Sequence, residues 1–301
     1  MLARQVQILG DSFKLGFRVQ KTWGQSFATA FFWGEAGAGL YFVAQFFNFL
    51  PGMAIGLLMV IFGKGGGHLL HLGQPLRGWR AFAKIGSSWI SRGLAAIGIF
   101  SIFGSIHALD LYSGGILPAA LSGLVSLVAV LACLVIMVYQ GFAMSHSTSI
   151  ALWSTGLMPL ASLTYALLNG VLLTLVLGYN TTLLNGHPET AHLLQVLAMG
   201  LMLYGFVMVL SLVHGAKYGS EGGQASSQLL LAGAMAGLFL PVVMGLGFVV
   251  SALVIAFLPQ GMTMLVVVAG TELTGYYAFR VLMFKAAIYD PVMSFQPHFK
   301  R

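Results

Sequence analysis

Histidine, arginine and tryptophan are concentrated in one short part of this sequence. It reads His68-Leu-Leu-His-Leu-Gly-Gln-Pro-Leu-Arg-Gly-Trp-Arg80, and Gly86-Ser-Ser-Trp-Ile-Ser-Arg-Gly93 follows shortly after it. An imidazole exchanges protons near neutral pH and can donate to a carbonyl oxygen, while guanidinium groups neutralise negative charge. These residue types therefore predict proton exchange with a bound ligand that carries carbonyl oxygens.

The composition predicts that this site belongs to an integral membrane protein. The chain is 58% hydrophobic and only 7% charged, with a mean hydropathy of +0.90, which leaves too few polar side chains to cover a soluble globule. The net charge of +7 does not indicate nucleic-acid binding, because the charges flank apolar stretches and form no basic stripe. The single Cys133 excludes a disulfide framework, and no Cys/His spacing predicts a metal site.

The apolar stretches predict an all-α fold of eight transmembrane helices in antiparallel bundles, since backbone polar groups cannot stay unpaired in lipid. Residues 1–22 are expected to form an amphipathic lead-in, residues 23–286 the transmembrane domain and residues 287–301 a C-terminal tail. The predicted spans are Gly24 to Phe47, Leu50 to Leu70, Gly93 to Leu111, Ile116 to Phe142, Ala151 to Tyr179, Ala191 to Ala216, Gln228 to Leu258 and Met262 to Lys285.

The basic residues predict the orientation of these spans. With eight crossings, all 14 Lys and Arg fall on one side of the membrane, which the positive-inside bias assigns to the cytoplasm. Both termini and the basic, aromatic 71–92 connection would then be cytoplasmic, and this connection is where a partner is expected to dock. The predicted location is the cytoplasmic membrane of a bacterium or archaeon.

Two acidic residues, Glu35 and Glu272, fall near the middle of their spans, where an ionisable group is costly and is a functional candidate. One reading is a proton path. The other is a pair of neutral or hydrogen-bonded carboxyls that fix helix packing.

Histidines could also bind haem, which requires two of them at one depth on neighbouring helices. On the side without basic residues, His107 and His192 are the candidates for such a pair. The histidines at the basic side, His68, His71, His146 and His214, could bind haem or metal too, but no repeated spacing supports this. The expectation is therefore a diffusible redox cofactor, with no haem or metal in this chain. A histidine near the membrane surface suits quinone chemistry, because quinone reduction needs a hydrogen-bond donor and a proton source.

The motif segment resembles the NrfD/PsrC/DmsC family of membrane subunits from complex iron-sulfur molybdoenzymes. In that family an HLGxPxRxWR segment ends the second helix and an SWxSR segment opens the third. Three further segments resemble its first, fourth and last helices: Phe32-Trp-Gly-Glu-Ala-Gly-Ala-Gly-Leu40, Val138-Tyr-Gln140 and Ala269-Gly-Thr-Glu-Leu-Thr-Gly275.

The resemblance implies a subunit that binds a quinone, menaquinone or ubiquinone, beside a ferredoxin-like iron-sulfur subunit that leads to a molybdopterin catalytic subunit. The family's quinone-site histidine and tyrosine match His71 and Tyr139. Arg77 could neutralise charge at the quinone, and Trp89 could flank its ring. The residues expected to dock the iron-sulfur partner are Arg77, Arg80, Lys84 and Arg92.

Three departures from the family pattern matter. Many relatives have Glu after SWxSR where this chain has Gly93, so a carboxylate is missing and Glu35 is a candidate substitute. Relatives often carry His at the start of the first helix. This chain has Gln25 there, which is a candidate hydrogen-bond donor in place of that histidine. The charge count places the motif loop in the cytoplasm, whereas several relatives face the periplasm.

Two alternatives in other functional classes remain open at this point. A proton-conducting or transport subunit would use Glu35 and Glu272, and it predicts broken helices around a polar midplane cavity. A b-type cytochrome would use paired histidines.

Overall fold

The computed structural model describes residues 17–71 and 75–290, with the side chains of 69–71 and 75–78 excluded. Helices make up almost all of this part of the chain, which confirms the all-α, polytopic prediction. One pair of two-residue strands, β1 (Arg18–Val19) and β2 (Ile288–Tyr289), joins the two ends of the described chain.

The first half of the chain forms five α-helices separated by two other helical segments. A π-helical segment, Met59–Gly65, joins α2 to α3, and a 3-10 helix, Pro75–Lys84, precedes α4. The α-helices are α1 (Gln25–Gln45), α2 (Leu50–Leu58), α3 (Gly66–His71), α4 (Trp89–Tyr112) and α5 (Ala119–Ser145).

The second half contains six further α-helices and a second π-helical segment, Phe239–Val250, between α9 and α10. They are α6 (Leu157–Gly178), α7 (Pro188–Gly219), α8 (Glu221–Leu231), α9 (Ala236–Leu238), α10 (Ser251–Phe257) and α11 (Met262–Lys285).

Seven helical stretches of the described chain are long and apolar enough to cross a membrane. They are Leu50–His68, Trp89–Tyr112, Ala119–Ser145, Leu157–Gly178, Pro188–Gly219, Ala236–Phe257 and Met262–Lys285. Helix α1 has 21 residues, enough for a length of about 31 Å, but it carries Gln25, Glu35 and Gln45 and is not among the seven. The count of eight spans therefore stays a prediction.

Helix α1 lies in the middle of the bundle, where it packs against α2, α5, α6 and α11. It is buried along most of its length. A helix that faces other helices instead of lipid can carry polar side chains when these find partners inside the protein. Its position therefore explains its lower hydropathy.

Glycines allow α1 to approach its neighbours closely. A Cβ at Gly56 of α2 would lie 2.6 Å from the Gly37 carbonyl oxygen. On another face, a Cβ at Gly39 would overlap the Ala166 backbone of α6, and Gly170 abuts Gly39 in the same way. Small residues thus bring the backbones into contact, as in membrane helix pairs generally.

The predicted bounds are correct for α11, whereas the seventh predicted span is wrong as a single helix. Residues 232–235 form a turn between α8 and α9. Helix α8 begins with Glu221-Gly-Gly-Gln-Ala-Ser-Ser-Gln, and the Ser220 hydroxyl caps it by accepting from the Gly223 N–H at 3.0 Å. The predicted span began at Gln228, so it joined only the last turn of α8 to the apolar helix that follows the 232–235 turn.

The predicted 71–92 loop is also more ordered than expected, since Pro75–Lys84 forms a 3-10 helix. Helix α4 then begins four residues before the predicted Gly93, because Ser88 caps it by accepting a hydrogen bond from the Ser91 N–H. Helix α6 begins later than predicted, at Leu157, after a turn in which the Trp153 indole N–H donates to the Met283 carbonyl at 2.8 Å.

Successive spans alternate in direction, so one end of the bundle collects several elements and is here called the basic end. It contains the strand pair, the 3-10 helix and the C-terminal ends of α5, α7 and α11. Its exposed or half-buried cations are Arg18, Lys21, Arg80, Lys84, Arg92, Lys217 and Lys285. Among the described residues, no Lys or Arg lies at the opposite end. The charge asymmetry predicted from the sequence is therefore present in the described chain.

Two cations in that sequence-based count are not surface anchors, which corrects the prediction. Lys64 and Arg280 are both 0% exposed and lie inside the bundle. Both lie about seven residues or fewer from a helix end, so the count of basic residues assigned them to the membrane surface. Their burial makes them candidates for function instead of orientation.

Candidate functional site

Tyr139 of α5, a residue predicted for the site, lies where α3, α4 and α5 meet near the basic end. It is 2% exposed, and its hydroxyl lies 3.4 Å from Nε2 of His68. The first histidine of the motif is thus its partner. The side chain of the predicted His71 lies outside the described residues.

Gly93 makes room for the Tyr139 ring. A Cβ at residue 93 would overlap the ring atoms Cδ2, Cε2 and Cζ, so no other amino acid fits there with the ring in this position. The glycine that departs from the family pattern therefore has a local cause. The position where many relatives have a carboxylate is occupied here by an aromatic ring.

Aromatic rings from α1 form the wall beside His68. The ring centroids of Phe27 and Phe31 lie 5.7 and 6.5 Å from that of His68, both close to edge-on. Such contacts fix the plane of the imidazole. The histidine is thereby held next to the Tyr139 hydroxyl.

Lys64 of the π-helical segment completes this cluster. Its Nζ lies 4.7 Å from the Tyr139 ring centroid and 5.2 Å from that of Phe31. The ammonium has three donors, yet Nζ has no hydrogen-bond partner among the described residues. Sequence reasoning missed Lys64 because it counted the residue as a membrane-surface anchor.

A buried ion pair lies deeper, between α1 and α11. Arg280 Nη2 and Glu35 Oε2 are 2.5 Å apart, and both side chains are 0% exposed. The Tyr276 hydroxyl donates to the same carboxylate oxygen, and Arg280 also donates to Ser162 Oγ at 2.9 Å. Glu35 stands about 15 Å from either end of α1 at 1.5 Å per residue, and its partner is an arginine that the sequence did not assign to it.

Glu272 lies on the same face of α11 as Tyr276, one helical turn away. It is fully buried, and neither carboxyl oxygen has a hydrogen-bond partner among the described residues. The Tyr276 ring stacks on Tyr165 at 4.5 Å, and the Tyr165 hydroxyl is also unpaired in the described part. Buried polar side chains thus extend from Glu35 through Tyr276 to Glu272, away from the basic end.

Trp89 and Arg92 occupy the start of α4 at the basic end. Trp89 stacks on Phe142 at 4.3 Å, and the Arg92 guanidinium lies 4.5 Å from the Trp89 ring centroid. Arg92 also donates to the carbonyls of Ile85 and Gly86, at 3.0 and 2.7 Å. Both side chains therefore brace the segment before α4, and Phe142 is one helical turn from Tyr139.

Among the described residues, no other predicted site residue is hydrogen-bonded to Tyr139. Gln25 donates to the Tyr277 hydroxyl of α11 at 3.3 Å. Arg80 lies 5.9 Å from the Trp79 ring centroid, and Lys84 is exposed. The Arg77 side chain lies outside the described residues. Arg80 and Lys84 remain accessible for a partner, whereas Gln25 links α1 to α11.

The two histidines considered for haem contact different parts of the fold. His107 Nδ1 lies 2.9 Å from the Tyr41 hydroxyl of α1. His192 lines a cavity of about 330 Å³ at the opposite end, together with Tyr179 of α6 and Gln260. The structure does not bring the two imidazoles together.

Apolar helices with charged side chains buried between them define this chain as a polytopic membrane protein. A profile of one family, described as DMSO reductase anchor subunit (DmsC), matches residues 50–271. The chain therefore belongs to the DmsC family, which confirms the family resemblance read from the motifs. A comparison with individual curated proteins gave no match. The matched region includes Lys64, Tyr139 and Gly93, whereas Glu35, Glu272 and Arg280 lie outside it.

Proposed function

We propose that this chain is the membrane anchor of a molybdoenzyme complex and that it exchanges electrons between the quinone pool and an iron-sulfur subunit. The DmsC family supports the anchor role. The observation that carries the quinone role is the cluster of Tyr139, His68 and Lys64 near the basic end, in which buried Tyr139 and Lys64 lie beside the half-buried His68.

The residues of this cluster fit a quinone headgroup. A quinone supplies reversible two-electron, two-proton chemistry, so it needs hydrogen-bond donors at its carbonyl oxygens. Tyr139 can donate its O–H, and His68 can hold or release a proton near neutral pH. Burial between helices keeps water away from these donors, which strengthens their bonds to a ligand oxygen.

The partner is proposed to bind at the basic end, on the cytoplasmic side of the membrane. Exposed Arg80 and Lys84 offer positive charge there, and Arg92 braces the adjoining segment through two carbonyls. A ferredoxin-like iron-sulfur subunit in this place would bring its cluster near Tyr139. Electrons would pass from there to or from a molybdopterin catalytic subunit.

The test is to replace Tyr139 by Phe in the intact complex, with Tyr112→Phe as the matched control. Tyr112 is 76% exposed at the opposite end of α4. The expected result for Tyr139→Phe is a roughly 10- to 100-fold loss of quinol-coupled turnover, with unchanged activity towards a soluble dye that reaches the catalytic subunit directly. His71→Ala tests the histidine predicted from the motif in the same two assays.

Two outcomes would contradict the proposal. Normal quinol-coupled turnover in Tyr139→Phe would remove the tyrosine from the site. A wild-type complex that neither retains quinone nor reacts with it would remove the function.

Proton conduction across the membrane is a second candidate function, favoured by Glu272. Among the described residues its fully buried carboxyl has no hydrogen-bond partner, and it lies one helical turn farther from the basic end than Tyr276. The Tyr165 hydroxyl, on the ring that stacks against Tyr276, is likewise without a partner there. In sealed vesicles that contain the complex, Glu272→Gln should abolish proton release that accompanies turnover, while turnover itself continues. Unaltered proton release would exclude this role for Glu272.

A further inference from the structure

Lys64 is a buried cation that the fold makes room for, and no acceptor in the described part of the chain bonds to its Nζ. Its side chain runs past Gly34 of α1, where a Cβ would lie 2.6 Å from Nζ. It ends between the Phe31 and Tyr139 rings, whose faces offset only part of the cost of burying an ammonium. The glycine at residue 34 and the two rings hold Nζ in one place.

The missing acceptor is informative because buried polar groups in native proteins are nearly always hydrogen-bonded. An unpaired buried donor costs about 1–3 kcal/mol, and more when it is charged. On the next residue of α1, Glu35 Oε1 is also without a partner among the described residues, while Oε2 is bonded to Arg280 and Tyr276. Near Gly34, the described part of the chain thus contains a buried donor and a buried acceptor that both lack a partner.

Lys64 also lies in the π-helical segment Met59–Gly65. Single π-turns within α-helices occur frequently at functional sites, because they rotate one side chain out of the regular pattern. Here the segment presents Lys64 to the Tyr139 ring and leads into α3, which carries His68. One local irregularity therefore positions two proton-bearing groups on the same side of Tyr139.

We infer that Lys64 exchanges a proton directly with the quinone headgroup held at Tyr139 and His68, an inference that rests on the proposed function. When quinol is oxidised, two electrons pass to the iron-sulfur partner and two protons leave the ligand, one to a ring nitrogen of His68 and one to Lys64. The Lys64 ammonium first passes a proton through a bridging water to Glu35 Oε1, which leaves a neutral amine. A ligand O–H bond then breaks and an N–H bond forms on that amine, and quinone reduction runs the same steps in reverse.

Proton exchange by Lys64 differs from the role of a fixed positive charge and from that of a simple hydrogen-bond donor. Three substitutions of Lys64 distinguish these three roles. Lys64→Met removes every property of the ammonium. Lys64→Gln keeps a donor that does not exchange protons, and Lys64→Arg keeps a positive charge that is never deprotonated near neutral pH. The matched control is Lys217→Met, because Lys217 is exposed at the end of α7, beside Tyr218.

The experiment measures quinol-coupled and dye-coupled turnover of the purified complex, its solvent deuterium isotope effect, and the quinone that it retains. All three Lys64 variants should lose about 100-fold in quinol-coupled kcat, with a larger isotope effect, unchanged dye-coupled turnover and quinone still bound. Lys217→Met should match the wild type. If Lys64→Met does not assemble, the two polar variants decide the question.

Near-normal quinol-coupled kcat in Lys64→Gln or Lys64→Arg would overturn the inference, since a donor or a charge would then suffice. Equal losses in both assays would also overturn it, because Lys64 would then act on assembly. In either case quinone retained by the wild-type complex keeps the proposed function intact. Absence of quinone from the wild type would instead refute the proposed function itself.

Discussion

Gly93 of α4 and Tyr139 of α5 are in direct contact, and the ring occupies the space that a side chain at residue 93 would need. This contact sets the position of the tyrosine hydroxyl next to His68. The interface between α4 and α5 is therefore as much a part of the site as the motif in α3.

Gly93→Ala tests this contact. The added methyl must displace the Tyr139 ring, and overpacking of this kind costs about 1–3 kcal/mol. We expect lower thermal stability of the complex in detergent and a loss of quinol-coupled turnover at least as large as that of Tyr139→Phe.

Gly98→Ala is the control for this substitution, because it lies on the same helix with no atom within 4 Å of the added Cβ. It should leave turnover unchanged and slightly raise stability, since Ala is favoured over Gly within a helix. Equal behaviour of the two variants would show that the Gly93 contact does not matter.

The buried ion pair predicts a non-additive pattern of stabilities. Arg280→Met should strongly reduce the amount of folded protein, because removing one partner of a buried pair typically costs about 3–5 kcal/mol. The double variant Glu35→Gln with Arg280→Met should recover part of that loss, since no unpaired charge then remains.

Thermal unfolding of the four proteins in detergent measures the coupling, and Lys285→Met provides the control. Lys285 is exposed at the end of the same helix, so its replacement should change the unfolding temperature little. Additive effects of Glu35→Gln and Arg280→Met would contradict a direct pair.

His68→Asn should reduce quinol-coupled turnover by about 10-fold or more, because Asn keeps a donor but does not exchange protons at neutral pH. His214→Asn is the matched control, since His214 lies near the basic end of α7 and contacts Tyr218 instead. Dye-coupled turnover should remain normal in both. If His71→Ala reduced turnover and His68→Asn did not, the second motif histidine would be the functional one.

Arg92→Lys should weaken binding of the iron-sulfur partner. A lysine cannot donate to the Ile85 and Gly86 carbonyls with the fixed geometry of a guanidinium, so the segment before α4 loses its brace. Co-purification of the partner in increasing salt measures this effect. Arg18→Lys, exposed in β1, is the control, and identical salt sensitivity of both variants would refute the bracing role.

The sequence predicted those features that depend on local pattern. Hydropathy located α11 at its observed bounds, and the motif identified the family.

The predictions that were wrong concern residues whose environment depends on contacts with other helices. Counting cations could not distinguish Arg280, which finds Glu35 and Ser162 on other helices, from Lys285, which lies five residues later at the surface. Lys64 was misassigned for the same reason, since only Gly34 on a neighbouring helix reveals the space for its side chain. Average hydropathy likewise joined the last residues of α8, from Gln228 onwards, to the apolar helix that follows it.

The pairing of Glu35 with Arg280 also constrains how the protein is made. The two residues are 245 positions apart, so the ribosome completes the central helix long before it reaches the arginine. During that interval the carboxyl must remain protonated, hydrated or sheltered by the insertion machinery, because lipid offers it no counter-charge. Insertion of the last helix is thus the event that locks the first one in place, and a chain truncated before residue 280 would lack that lock.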